Sequence, residues 1–157
     1  MTNSKRVSES ALISTRWMFP SDANPAGNVF GGAIVRYIDE VAAAVAHRHS
    51  RRNVVIASMD RMDFHKPVKV GDLLTLKASI NYVGNTSMEI GVRVETENLT
   101  NGKVIHAASA YCTMVALDDC GRPTRVPRLI PETEDEKRRF REAGLRKKAR
   151  LKQSTEK

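Results

Sequence analysis

Aromatic residues, cysteines and long apolar runs are all scarce in this chain, and each scarcity removes a class of function. Of 157 residues, one is Trp, three are Tyr and four are Phe. Base-stacking surfaces need exposed aromatics. Nucleic acid therefore ranks below a phosphate-bearing small molecule as a partner, despite a net charge of +8. The two cysteines, Cys112 and Cys120, form no CxxC pair and no His/Cys ligand spacing. Neither a metal site nor thioredoxin-like chemistry is expected from them. His47 and His49 stand two apart, so they do not share a helix face as metal partners would. No apolar run approaches the ~18 residues of a membrane span, and the polar start Met1–Glu9 lacks a signal-peptide core. A cytoplasmic, reducing setting is the expectation.

What is present is organised as strand, helix, then strands. Ala11–Phe19 reads as a short strand. Gly32 to about His49 reads as a helix, with Ile34, Ile38, Val41 and Val45 at helical spacing. Alanines 42, 43, 44 and 46 leave it almost apolar all round, which predicts a helix enclosed by other structure. Asn53–Met59 is a β-branched run, and Leu73–Val83 a long strand. Gly84-Asn85-Thr86-Ser87 reads as a turn. Met88, Ile90, Val92 and Val94 then alternate with Glu89, Gly91, Arg93 and Glu95, which predicts a half-buried antiparallel strand with the second set in solvent. Asn101-Gly102 signals a tight hairpin, and Lys103–Leu117 returns as the last long strand. The pattern predicts an α+β domain over residues 1–130, a curved antiparallel sheet wrapped round one helix.

Residues 131–157 differ in character. Glu132–Lys157 carries ten Lys/Arg against six Asp/Glu. Thr133-Glu134-Asp135-Glu136 reads as a capping box opening a charged helix with few apolar residues. Such a helix is expected to be solvated. Its functional alternatives are a basic flap near an anionic ligand or an assembly contact.

The stretch richest in chemistry runs from Asp22 to Glu40. Asn24 lies in a turn-rich loop, Gly31-Gly32 opens the helix, and Asp39 sits two turns inside it among apolar residues. A carboxylate in such a helix costs stability unless something uses it. Asn24 could simply start a turn before Pro25, and Asp39 could be a surface acid. Cys112, mid-strand, is most simply a buried small hydrophobe, and Ser87 has no partnered base.

In that order, the segments Asp22-Ala23-Asn24-Pro25-Ala26-Gly27-Asn28-Val29-Phe30-Gly31-Gly32 with Asp39-Glu40, Met62-Asp63-Phe64-His65-Lys66-Pro67-Val68 with Val70-Gly71-Asp72, Val83-Gly84-Asn85-Thr86-Ser87 and Val115-Ala116-Leu117-Asp118 resemble the hotdog-fold acyl-CoA thioesterases. The likeness covers roughly residues 12 to 130 and leaves the basic tail outside. It implies a hotdog fold and hydrolysis of fatty acyl-CoA to free acid and CoA. Asn24 matches the family's catalytic asparagine and Asp39 its catalytic aspartate, which such enzymes bring together from two subunits. The implied unit is a homodimer with shared sites, with trimers of dimers (hexamers) common among similar proteins. Some related enzymes also take a regulatory nucleotide between dimers.

On this reading Asp39 activates water, or attacks directly, while Asn24 and the backbone at Gly32 hold the thioester oxygen as it gains charge. No cofactor is implied, coenzyme A being part of the substrate. Gly84, Thr86 and Ser87 sit where similar enzymes place a turn touching CoA. Lys66, Arg93 and Arg128 are candidate phosphate partners, and Arg93 could equally form a surface ion pair with Glu95. His65 borders the same motif with either a site or a structural role. Two other classes stay open: another hotdog acyl-thioester enzyme such as a dehydratase, which would want a histidine in the opening motif, and a non-catalytic acyl-CoA sensor or DNA-associated regulator.

Overall fold

A computed structural model describes residues 3–156. Its centre is the helix α1, Gly31–Ser50, whose Ile34, Ile38, Val41, Ala42, Val45 and Ala46 are buried. The apolar positions recur at helical spacing, as the sequence predicts. The helix ends at Arg51, which adopts a left-handed conformation at φ 55° and donates its N–H to the His47 carbonyl.

Seven strands accompany it: β1 (Ser4–Arg6), β2 (Leu12–Trp17), β3 (Asn53–Phe64), β4 (Leu73–Val83), β5 (Ser87–Glu97), β6 (Val104–Leu117) and β7 (Arg128–Ile130). Five of them form one antiparallel sheet in the order β2-β4-β5-β6-β3. Its inner face runs across the strands as rows of apolar residues, Leu76–Val94–Ala108 and Ile80–Ile90–Cys112 among them. These close on α1 as a single core. The sheet therefore wraps the helix, the hotdog arrangement.

β3 stands at the sheet's edge. It carries bulges between Ile56 and Ser58 and between Asp60 and Asp63, and at the second Arg61 sits at φ 43°. Val55, Ile56 and Phe64 on this edge are exposed.

Three expectations change. The β5–β6 connection is not a two-residue hairpin: Gly102 alone takes positive φ, at 74°, whereas a two-residue Asn-Gly turn needs it at both positions. The bend instead spans Asn98 to Lys103, organised by the Asn98 carboxamide accepting from Thr100 and Asn101 N–H. β1 and β7 were not foreseen and pair in parallel as a separate two-stranded sheet. Finally, Glu89 is not in solvent but only 3% exposed. The element covering it is α2 (Glu134–Thr155), which lies on the outer face of the sheet.

That placement corrects the picture of a solvated tail. The capping box forms, with Thr133 Oγ1 accepting from Glu136 N–H at 3.1 Å and Glu136 Oε2 accepting from Thr133 N–H at 3.1 Å. Phe140 then stacks on Tyr82 with ring centroids 4.9 Å apart, and Ala143 is fully buried. Beyond them Arg146 bonds Glu89, and Arg150 reaches Asp60 at 2.7 Å.

Candidate active site

The loop before α1 is built by its own polar groups. Asn24 N–H donates to the Asn28 carbonyl at 2.7 Å, and Gly27, at φ 84°, supplies a left-handed bend that other residues rarely take. Val29 N–H donates to the Val68 carbonyl at 2.8 Å, which pins this loop to the Phe64–Val68 segment. Asp22 secures the entry, accepting from the Tyr37 hydroxyl at 2.8 Å. That hydrogen bond holds the phenol's pKa above its ordinary value.

The Asn24 carboxamide is oriented by this loop. Its Oδ1 accepts from Ala26 N–H at 3.0 Å and from Asn28 N–H at 3.2 Å. With the oxygen so occupied, the Nδ2 amide is left to donate outward. Asn24, Asn28, Gly31, Ile34, Phe64, His65 and Lys66 are among the residues lining a pocket of about 260 Å³. The start of α1 opens onto it. Phe30, at the N-cap, makes no side-chain capping bond and there is no acid in the first turn. The intrahelical bonds begin with Ala33 and Ile34 N–H, both to the Phe30 carbonyl. The Gly31 and Gly32 N–H groups are thus free of the helix's own ladder, and the positive end of the helix dipole points the same way. Gly31 lines the pocket; Gly32 lies beside it, packed so closely under the Phe30 ring that a Cβ would meet Cε1 at 2.9 Å.

Asp39 is elsewhere. It is half-buried on the flank of α1, outside the lining of the Asn24 pocket, with no hydrogen-bonding or ion-pair partner among the described residues. Burial pushes the Cys112 thiol up to about 12, and the charge of Asp39 is the next contributor. One chain presents a pocket lined by an amide and a helix start and, outside that lining, a carboxylate with no partner among the described residues.

The remaining candidates scatter. Lys66 and His65 sit at the Asn24 pocket, His65 with its ring 4.7 Å from that of His106. Gly84, Thr86 and Ser87 form the β4–β5 turn, where Gly84 N–H bonds the Ser87 carbonyl at 2.7 Å. Within one chain this turn is at the other end of the sheet from Asn24. Ser87 pairs with Val115, whereas Phe64 pairs with Ala108 and so with Val94, a separation of about 23 Å for seven residues of strand. Arg93 forms the surface ion pair with Glu95, at 2.9 Å, and with Lys77 it holds that carboxyl below its usual pKa. Arg93 also lines a larger cavity of about 700 Å³ between α2 and the outer face of the sheet, away from Asn24. Arg128 lies exposed on β7.

The geometry defines a hotdog domain with a pocket lined by an amide and a helix start, and comparison with known proteins agrees on the fold. Residues 26–103 match the Thioesterase superfamily. An uncharacterized acyl-CoA thioester hydrolase of Bacillus subtilis is 44% identical over 128 residues, 82% of this chain and 74% of its own. A cytosolic acyl coenzyme A thioester hydrolase of rat is 42% identical over 89% of this chain, which spans only 37% of that longer protein. Among solved structures, an apo-hexameric acyl-CoA thioesterase superposes with TM-score 0.93 at 42% identity, covering 97% of both chains. An acyl-CoA hydrolase of Staphylococcus aureus, solved with butyryl coenzyme A, coenzyme A and coenzyme A disulfide, superposes at 0.88 with 41% identity, covering 98% of this chain and 95% of its own. That enzyme was also solved with an Asp-to-Ala and with an Asn-to-Ala replacement, as far apart in its sequence as Asn24 and Asp39 are here. This chain belongs to the thioesterase superfamily, in its acyl-CoA thioester hydrolase branch.

Proposed function

We propose that the protein hydrolyses acyl-CoA thioesters at a site shared between two copies of the chain. The observation that carries this is the Asn24 amide, locked with its N–H outward beside the uncapped start of α1. A thioester oxygen in the pocket accepts from Asn24 Nδ2 and a helix-start N–H, and both donors are fixed before charge develops. Asp39 takes a proton from water as its oxygen bonds to the carbonyl carbon. The tetrahedral intermediate then expels the CoA sulfur as thiolate and leaves the acid. With a thiol pKa of about 8.5, the leaving group needs little acid assistance, and Asp39 returns its proton to the medium or to the thiolate. The chemistry calls for no metal or cofactor.

Support for the shared site comes from the separation of the two residues. Asp39 lies outside the lining of its own chain's Asn24 pocket, and pairing two β3 edges would bring it toward the partner's Asn24 pocket. The twelve-residue open edge suits such a homodimer. Three dimers could then assemble as a hexamer, as the hexameric neighbour does. The Arg93-lined cavity is the place we assign to a regulatory nucleotide, if one acts. Among the described residues no helix is long and apolar enough to cross a membrane; our reading places the enzyme in the cytoplasm.

The test is release of free CoA from a series of acyl-CoAs, acetyl to palmitoyl, followed by a thiol reagent. Binding without turnover would make the chain a sensor instead. The shared site is tested by mixing Asn24→Ala and Asp39→Ala proteins under subunit exchange. Half the dimers become heterodimers with one intact site of two, so about a quarter of wild-type activity returns; sites within one chain would give none.

A further inference from the structure

The basic C-terminal helix sets a cation, Lys147, over the β4–β5 turn. On α2, Phe140, Ala143, Gly144 and Lys147 share one face by their three- and four-residue spacing. Phe140 and Gly144 pack on or beside Tyr82, a Cβ at Gly144 falling 3.6 Å from its ring, and Ala143 is fully buried. Lys147, next along this face, lies with Nζ 5.5 Å from the Tyr82 centroid, over Gly84. A Cβ at Gly84 would overlap that ammonium and would stand 3.0 Å from Ser87 Oγ. Gly84 does not adopt positive φ, so glycine is needed here for close approach and not for backbone freedom.

Lys147 is half-buried and has no carboxylate partner among the described residues, unlike its neighbours Arg146 and Arg150. The other side of the same turn is also basic. Val126 N–H donates to the Asn85 carbonyl at 3.0 Å, which brings the exposed Arg125 alongside. Arg51 and Arg52 end α1 at this rim, next to Asn53, which pairs with Leu117. None of Arg51, Arg52 and Arg125 forms an ion pair among the described residues. The nearby acid, Asp118, is taken by Arg122 at 3.3 Å. Lys147 and Arg125, neither with an ion-pair partner among the described residues, flank a turn that carries the Thr86 and Ser87 hydroxyls, and with Arg51 and Arg52 at the same end of the sheet they make a phosphate-attracting rim.

We infer that Lys147, from the C-terminal helix, binds the phosphate-bearing end of the thioester substrate at the Gly84–Ser87 turn. The inference rests on the reading of the chain as an acyl-CoA hydrolase. It also explains how a rim at the other end of the sheet from the Asn24 pocket within one chain can serve the reaction. Antiparallel pairing of two β3 edges sets the Asn53 end of one beside the Phe64 end of the other, and so one chain's basic rim beside the partner's Asn24 pocket. The C-terminal helix thereby becomes a specificity element, selecting thioesters that carry a nucleotide.

The test compares acyl-CoA with the matching S-acyl-pantetheine, which has the same thioester and no phosphates. In Lys147→Ala the ratio of kcat/KM for the two should fall about tenfold, through KM for acyl-CoA. Lys147→Arg should restore most of it. Gly84→Ala, which displaces the flexible end of Lys147 and crowds Ser87 Oγ, should reproduce the fall, and Lys148→Ala should keep the wild-type ratio. An unchanged ratio in Lys147→Ala, or an equal loss on both substrates, overturns the inference while wild-type turnover keeps the hydrolase reading. Wild-type protein that cleaves neither substrate overturns both.

Discussion

Arg146 of α2 and Glu89 of β5, 57 residues apart in the chain, meet in a two-point ion pair, Nη2 to Oε1 at 2.7 Å and Nε to Oε2 at 3.2 Å. Asn81 donates to the same carboxylate at 3.2 Å, and the guanidinium lies over the Tyr111 ring at 3.8 Å from its centroid. Glu89 is thus a buried acid whose partners are the means by which the last helix is fastened to the sheet. Removing Arg146 alone should destabilise the fold by about 3–5 kcal/mol, since the charge left behind stays buried. Replacing both, as Glu89→Leu with Arg146→Met, should cost far less than the sum of the single changes. Urea unfolding of the four proteins measures the difference.

Asn24 offers an isosteric test. Asn24→Asp keeps the oxygen that accepts from Ala26 and Asn28 N–H but removes the outward donor. Turnover should fall by ~10²–10³-fold with the folded loop retained. A variant that keeps kcat and raises only KM would reassign the amide to substrate binding.

Asp39→Ala should lower kcat by ~10²–10⁴-fold, the range for loss of a general base. Retention of more than half the activity by folded protein would show that the base lies elsewhere.

The two thiols should react unequally. Cys112 is buried with its thiol pushed up to about 12, while Cys120 is exposed. An aromatic disulfide reagent should titrate one thiol in the native protein and two in denaturant. Two fast native thiols would contradict the packing of β6 against α1.

His49 sets an acid limit on stability. It is fully buried, its Nε2 donates to the Pro127 carbonyl at 2.9 Å, and burial pulls its pKa below the ordinary 6.5. Below pH 6.5 the unfolded chain takes up a proton that the folded chain refuses, so stability declines as pH falls toward the lowered value. His49→Gln should flatten that decline in thermal midpoints between pH 7 and pH 5.

Legibility in the sequence followed the reach of the forces involved. α1 and β4 could be read because their patterns are local, and the Asp22–Gly32 motif because its loop is built from its own amides. β1 and β7 could not, since three-residue strands carry no periodicity. The burial of Glu89 was hidden for a different reason. Strand alternation directs it to solvent, and the residue that covers it belongs to a helix whose own composition reads as solvated. The docking of α2 rests on Phe140, Ala143 and two arginines aimed at acids on the sheet, a pattern visible only once both are folded. Asn24 and Asp39 were legible as candidates, whereas the direction of the Asn24 amide and the separation of the two needed coordinates.

The open edge of β3 gives this chain a dependence on its own abundance. The outer edge of this twelve-residue strand, with Val55, Ile56 and Phe64 exposed, is a template that any passing strand can extend. In the proposed β3-to-β3 dimer self-pairing occupies the template, and mass action would then couple folding to supply. Thermal midpoints should rise with protein concentration, and a chain made in small amounts, or diluted below its assembly constant, is the one most exposed to aggregation.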